Sequence, residues 1–431
     1  MLRNWIHTFI YQVKHNKLFT LLNILGLSIG IAGIILSILY RNDELAYNAW
    51  NPEKDNVYKV TIHSGNRELE SADYVPAPMG PAFKNLDAKV DYCYFKSSYY
   101  LDIVRYRGRK YTRKIIYAQR NFFSFFPFNF IKGDGKTALQ DKNGVAVSDK
   151  TARLLFGDKD PIGKQITIGT EKNNSLVIRG VYKIPGKSSI APQMVSRGNL
   201  DDLLAKKADN WNDANFKLLI KTKNPKQKRY VTEKMNQFIT ENFTAKYAKA
   251  KGITIKEFEE KYGKETVILE GLKTARLHSV AGRYPEGNGD YRMLMIISGL
   301  SLLILLLSII NCINMATAHA IKRAKEVGIR KAMGATRRNI VYQLLFENSL
   351  IAFFSIWLGL AIVQVSLPYY NDFLKKNLSL HQQQFYPQLV FIFLIVIALA
   401  GIFPAIYVAG FNVIKVLKGN FTRSKKGIWT R

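Results

Sequence analysis

Two triplets carry residue types that can hold a nucleotide's phosphates: Gly135-Lys136-Thr137 and Gly186-Lys187-Ser188. In a phosphate loop the lysine reaches the outer phosphates, the hydroxyl binds magnesium, and an earlier glycine lets the backbone wrap the anion. That earlier glycine must stand five residues before the second one. Phe130 and Val181 occupy those positions, so neither triplet is expected to bind ATP. No His-Glu-x-x-His occurs, and the six histidines are scattered. No catalytic residue, no metal site and no cofactor of the chain's own is therefore expected. Cys93 falls in a polar region and Cys312 in a very apolar one, so they are read as small buried side chains rather than a disulfide.

The chemistry that remains is electrostatic and mechanical, and it concentrates in Ala320 to Leu350. Lys322, Arg323, Lys325, Arg330, Lys331, Arg337 and Arg338 stand there against Glu326, between two uncharged apolar runs, Met293–Ala318 and Leu350–Leu367. Crossing the hydrocarbon core takes about 20 helical residues, so each run is long enough to span it. A basic stretch between spans belongs on the cytoplasmic side. Ala324–Met333 is rich in helix formers, and Glu326 and Arg330 are spaced i, i+4 in the favourable order. Gly334 suits the left-handed end of a helix, and Thr336 suits an N-cap. The pattern predicts a short cytoplasmic helix, a glycine stop, a cap and a long helix that enters the membrane. Val327, Ile329 and Met333 are apolar positions outside the lipid that something should cover.

Glu326-Val-Gly-Ile-Arg-Lys-Ala-Met-Gly-Ala335, followed by Gln343-Leu-Leu-Phe-Glu347, resembles the signature of the MacB/FtsX-like permeases of ABC transporters. That resemblance implies that the segment is a coupling helix seated on a separate ATPase subunit. Glu326, Val327, Gly328, Ile329, Arg330, Lys331, Gly334 and Ala335 would then carry the coupling, the charges setting orientation and the glycines allowing close approach and the turn. ATP would be bound by the partner ATPase, not by this chain.

The elements around that segment follow in order. Residues 1–17 read as an interfacial amphipathic helix with Leu2, Trp5, Ile6, Phe9, Ile10 and Val13 on one face. The first transmembrane helix covers 18–40, and its Gly26 and Gly30 form a small-xxx-small pair suited to close helix packing. The run Asn23–Val60 is similar to Bacteroidetes-type members of the same family. Residues 41–292 form a polar region with 45 Lys/Arg against 29 Asp/Glu, about half of the whole chain's net charge of +31. Such a surplus suits anionic lipid head groups or acidic envelope polymers. Nucleic acid is excluded as a partner, since no recognition motif occurs.

Within that region, 57–62, 111–117, 165–168, 176–184 and 216–221 read as strands, and 200–208 and 227–248 as helices. The mixture is α+β. The aromatic run from Phe122 to Phe130 reads as core rather than a partner surface, and strand propensity accounts for Tyr92, Tyr94, Tyr99 and Tyr100. Gly144–Ile166 and Ile178–Pro185 resemble the extracytoplasmic domain of the family. In MacB-like proteins that domain is bipartite, which here implies a proximal lobe near 45–118 plus 213–290 with an insert between.

The second transmembrane helix covers 293–318 and carries the intramembrane amides Asn311 and Asn314, which should seek interhelical partners. A cytoplasmic coupling segment follows at 319–344. The third helix, 345–368, opens with Glu347, read as reaching head groups or an arginine of the turn. An outer loop at 369–386 leads to the fourth helix, 387–410, where Pro404 should produce a kink. A basic tail, 411–431, returns to the cytoplasm. The expected fold is thus a multi-pass membrane protein of four transmembrane helices, with a large α+β extracytoplasmic domain between helices 1 and 2 and an FtsX-like permease domain at 293–411.

The resemblance implies a permease subunit in the cell inner membrane, both termini cytoplasmic. It would work by mechanotransmission in the efflux of a drug, peptide or similar substrate. Its partners would be a cytoplasmic ABC ATPase, a second permease chain, and in some systems a periplasmic adaptor and outer-membrane channel. A regulator of a cell-wall hydrolase and a lipoprotein-releasing permease are the alternatives on the same architecture. Larger relatives repeat the unit, so the chain is either a natural half-size permease or one half of a longer one.

Overall fold

A computed structural model describes residues 2–64, 71–97, 101–169, 174–281, 284–381, 384–402 and 405, with backbone alone for 2–4, 12, 19, 64, 71, 97, 316–328, 331 and 332. The chain divides into a helical unit, Met1–Asp43 with Tyr291–Arg431, and an α+β unit, Glu44–Asp290.

Helix α1 (Leu2–His15) is the amphipathic N-terminal helix. Its Trp5 ring sits 5.6 Å from the Phe346 ring, while Ile6 and Ile10 stay exposed. Helix α2 (Lys17–Leu45) is apolar until Arg41.

The α+β unit begins with β1 (Val57–Ser64), β2 (Ser71–Ala72), β3 (Val75–Pro76), α3 (Met79–Leu86) and β4 (Asp91–Ser97). There follow β5 (Asp102–Tyr106), β6 (Arg109–Arg113), β7 (Ile115–Ala118), α4 (Phe122–Phe125) and β8 (Asn129–Gly133). Then come β9 (Gly144–Ser148), α5 (Asp149–Phe156), β10 (Gln165–Ile168), β11 (Asn174–Lys183), β12 (Met194–Ser196) and α6 (Leu200–Lys206). The unit closes with β13 (Ala214–Lys221), α7 (Gln227–Ile239), a π-helical turn (Thr240–Thr244), α8 (Ala245–Ala250), α9 (Ile255–Tyr262) and β14 (Glu265–Gly271).

One sheet runs in the order β14-β1-β13-β4-β7-β12-β9-β11-β10-β5-β6. Its β14-β1-β13-β4 part is antiparallel, with Tyr58 opposite Gly271 and Leu219 opposite Cys93. The alternating inward residues Tyr58, Val60, Leu218 and Ile220 form a core with Phe83, Val231 and Met235 from α3 and α7. The rest includes the parallel pairs β12/β7 and β11/β9. There α5, capped by Ser148, buries Ala152, Leu155 and Phe156 against Val145, Val147 and Ile178. The alternate residues Val57, Cys93, Ala146 and Leu219 point to the other face of the sheet, where they meet the phenylalanine cluster: Phe122, Phe123, Phe125, Phe126 and Phe128 are all buried.

Three sequence readings need correction here. The strand expected over 111–117 is two, because Lys114 leaves the ladder: its backbone N–H binds the Gln193 side chain and its Nζ binds the Pro285 carbonyl. The helix expected over 227–248 is interrupted by the π-helical turn. Strand β14 went unread although it pairs with β1 along its whole length.

Helix α10 (Tyr291–Ala332) returns to the helical unit, followed by α11 (Arg337–Leu374), α12 (Phe385–Ile397) and a second π-helical turn (Ala398–Ile402). The basic segment after Ala318 is therefore not a separate short helix. Charge does not break a helix, and no proline intervenes, so the apolar helix continues to Ala332. Four segments are long and apolar enough to cross a membrane: Thr20–Leu45, Tyr291–Met315, Arg337–Leu374 and Phe385–Ile402. The expectations for Pro404, Tyr99, Tyr100 and the 411–431 tail lie outside the described residues.

Candidate functional site

The turn between α10 and α11 is built by two residues. Gly334 takes φ +94°, a region a side chain would strain, and lets the Ala335 N–H reach back to the Arg330 carbonyl at 3.0 Å. Thr336 then starts α11, its hydroxyl accepting from the Asn339 N–H at 3.2 Å. At this tip Ile329 is 44% exposed and Met333 75% exposed. Arg330 points the other way: its Nη1 donates to Gln343 Oε1 at 2.9 Å. Gln343 Nε2 in turn donates to Glu347 Oε1 at 3.0 Å. Glu347 is only 3% exposed, so a buried carboxylate on α11 is linked through one amide to the end of α10. Glu326, Val327, Gly328 and Lys331 lie on the same stretch of α10, their side chains outside the described residues.

The helices carrying this tip meet along small residues. A Cβ on Gly30 would stand 2.9 Å from Leu305 Cα, so α2 and α10 approach as closely as a glycine allows. One turn on, Gly33 faces Ser301, and Ser37 and Ser298 hydroxyls share a 2.8 Å hydrogen bond. Gly26 was expected to join Gly30, but a Cβ there would meet nothing within 4 Å. At about 100° per residue Gly26 shares the face of Gly30, Gly33 and Ser37, so the contact with α10 stops one turn short of it. On α11, Gly359 abuts the Ser28 carbonyl of α2, and Asn348 lies against Gly401. Asn311 and Asn314 are both exposed on α10; Asn311 has no hydrogen-bond partner among the described residues.

Three consecutive residues at the end of α2 each hold something different. The amides of Asn42 and Gln388 exchange hydrogen bonds at 2.7 and 3.2 Å. Asp43, buried, pairs with Lys376 at 3.3 Å. Glu44, in the α+β unit, accepts from Arg276 Nε at 2.8 Å, with both side chains buried. Arg276 Nη1 also binds the Glu286 and Gly287 carbonyls, and its guanidinium stacks on the Tyr47 ring at 4.1 Å. Next to it Asn48, at φ +60°, bonds Ser189 Oγ and the Leu272 carbonyl and accepts from the Ser189 N–H. Sequence reasoning missed these contacts. Its partners are far apart in the chain, and the only local signal was an Asp-Glu pair just past an apolar span.

A second buried set ties the same region to the sheet. Lys59 lies 3.4 Å from Glu270 and 3.6 Å from Asp73, which also takes Lys217 at 2.7 Å. Lys59 Nζ donates to the Ala281 carbonyl, and the Val280 and Ala281 N–H groups donate to Glu270. Burial pushes the Lys59 ammonium below its usual range, while Glu270 and Asp73 pull it back up. No group of His, Cys, Asp and Glu able to hold a metal ion occurs among the described residues.

Comparison with known proteins agrees with this layout. The model of the MacB-like periplasmic core domain matches residues 20–238, and that of the FtsX-like permease C-terminal matches residues 298–420. A macrolide export ATP-binding/permease protein of Neisseria meningitidis is 26% identical over 250 residues, which is 58% of this chain and 33% of that protein. One from Bdellovibrio bacteriovorus is 24% identical, over 52% of this chain and 31% of its own length. The chain thus spans about a third of the length of these curated relatives. Among solved structures, a domain of a putative permease from Porphyromonas gingivalis is similar at TM-score 0.40 and 19% identity, covering 51% of this chain and 91% of that one. The periplasmic region of MacB from Actinobacillus actinomycetemcomitans is similar at TM-score 0.33 and 10% identity, covering 51% and 92%. With one family model matching the first span and most of the α+β unit and another the last three spans, the chain belongs to the FtsX-like permeases with a MacB-like periplasmic core domain.

Proposed function

We propose that the chain is the permease subunit of an ABC transporter of the MacB/FtsX type, moved by a separate cytoplasmic ATPase. One observation carries the reading: Ile329 and Met333 are bare at the tip of α10, beside a basic turn. A cationic turn does not enter the hydrocarbon interior, so protein is the natural cover for those two side chains. ATP bound by the partner would displace the tip. Arg330, Gln343 and Glu347 would carry the displacement to α11, and the tightly packed α2 and α10 would carry it across the membrane. At the far end Asn42, Asp43 and Glu44 would pass it on. This is mechanotransmission to the extracytoplasmic domain for efflux of a drug, peptide or similar cargo. The chain itself needs no cofactor for it.

The excess of Lys and Arg before the first span and in the turn supports an inner-membrane orientation with both termini cytoplasmic. A second permease chain is supported by Asn311, whose exposed amide on an apolar helix would otherwise face hydrocarbon. A periplasmic adaptor and outer-membrane channel would complete the assembly.

Co-expression with the candidate ATPase tests this. Ile329→Asp with Met333→Asp should abolish co-purification while leaving the permease folded. Undiminished co-purification would remove the reading's support.

A further inference from the structure

A cavity of about 580 Å³ opens in the α+β unit between β2, β3 and the α7–α9 region. Such a volume suits a small-molecule site. Its walls carry the rings of Tyr74, Trp211, Phe243, Tyr247, Phe258 and Tyr262. They form two groups: Trp211 and Phe243 lie 4.6 Å apart, and Phe258 and Tyr262 lie 4.8 Å apart.

The local backbone brings these rings to the wall, Trp211 and Phe243 resting on the core behind them. The π-helical turn Thr240–Thr244 places Phe243 and Thr244 on the wall, and such turns occur often at functional sites. Helix α9 is well formed, with a complete capping box at Thr254 and Glu257, yet it buries no residue. Its Phe258 and Tyr262 face the cavity instead. Tyr247 and Tyr262 are left 46% and 38% exposed. Six rings around a void, with their apolar faces wet, gain by taking up an apolar body.

The charge pattern narrows what that body is. Among the described residues Glu265 is the one carboxylate on the wall, no Lys or Arg lines it, and Glu265 has no ion pair. This is an inversion within a region that carries 45 Lys/Arg against 29 Asp/Glu. The rings also already attract cations on their outer sides. Lys251 and Lys261 stand 5.0 and 5.5 Å from the Tyr262 centroid, and Lys217 stands 5.3 Å from that of Tyr74. The face of an aromatic ring is its negative side, and a box of such faces is a recognised receptor for ammonium-type cations. Lys217 is neutralised by Asp73 at 2.7 Å. Lys251 and Lys261 oppose a cationic guest and Glu265 favours it; all three are exposed, so water screens each of them and the ring faces carry most of the preference.

We propose that this cavity binds a lipophilic organic cation, the aromatic walls holding its body and Glu265 its charge. Binding needs neither ATPase nor nucleotide, so the proposal stands or falls separately from the coupling function.

The test uses the full chain in lipid nanodiscs and two probes of matched shape, tetraphenylphosphonium and tetraphenylborate, with partitioning into empty nanodiscs subtracted. Saturable binding of the cation and not of the borate is expected. Glu265→Gln should weaken it about five-fold, and Lys251→Gln should tighten it about two-fold, as the loss of one favourable or unfavourable charge requires. Ala214→Phe, which fills the mouth from an exposed strand position, should abolish it. The opposite signs of the two charge variants cannot arise from a folding defect. No saturable cation binding, borate binding as tight as the cation's, or an affinity indifferent to Glu265→Gln would each overturn the proposal.

Discussion

Arg276 Nε lies 2.8 Å from Oε2 of Glu44, and the pair is buried, the side chains 8% and 1% exposed. Glu44 is the next-to-last residue of α2, and Arg276 lies five residues after β14. The pair thus ties the first residue of the α+β unit to the stretch after β14, within that unit. Removing one partner of a buried pair leaves an uncompensated charge, which costs about 3–5 kcal/mol. Arg276→Gln should therefore lower the thermal midpoint of the α+β unit markedly, followed in detergent by limited proteolysis. The double change Arg276→Met with Glu44→Met should recover most of the loss, since neither charge is then stranded. Equal damage from single and double variants would mean that the backbone contacts of Arg276, not the pair, stabilise this part of the α+β unit.

Gly30 and Gly26 make a matched comparison within one helix. A leucine at 30 must displace the α10 backbone at Leu305, whereas at 26 it meets open space. Gly30→Leu should reduce the yield of folded, monodisperse protein severalfold, and Gly26→Leu should leave it unchanged. Size-exclusion profiles in detergent report both. A loss at Gly26 instead would point to a second chain packing there.

Acidity should act through Glu286. Burial holds its carboxyl above the ordinary value of 4.5, and Lys114 at 3.8 Å only partly offsets this. The folded state then binds more protons than the unfolded state between 4.5 and the raised value. Stability due to this group falls as pH rises through that window, and its full penalty is present at neutral pH. Glu286→Gln should be more stable than the parent at pH 7, with the advantage shrinking as pH falls toward 4.5. Thermal melts across that range check the sign; an advantage that grows on acidification would refute it.

What could be read from the sequence follows from the range of the interactions. The four spans were legible because a hydrocarbon core imposes a length and forbids charge over it. Gly334 and Thr336 were legible because a helix stop and a cap are local chemistry. The continuation of α10 to Ala332 was not, since the change from apolar to basic marks a change of surroundings, not of backbone. The Gly26–Gly30 spacing gave a face of α2, but which turn of it meets α10 depends on how the helices are rotated together. Strand β14 and the Arg276–Glu44 clamp were hidden for a simpler reason: their partners lie some two hundred residues away. The phenylalanine cluster, legible as core by type, is core because side chains from seven strands pack against α4 and the turn after it.

The central claim is that the tip of α10 lies in the cytoplasm and is covered by an ATPase. Met333 is 75% exposed, and both native cysteines are buried, so Met333→Cys offers one reactive thiol against a quiet background. A membrane-impermeant maleimide should fail to label it in intact spheroplasts, label it after permeabilisation, and label it more slowly when the ATPase is co-expressed. Labelling from outside intact spheroplasts would invert the topology and contradict the account.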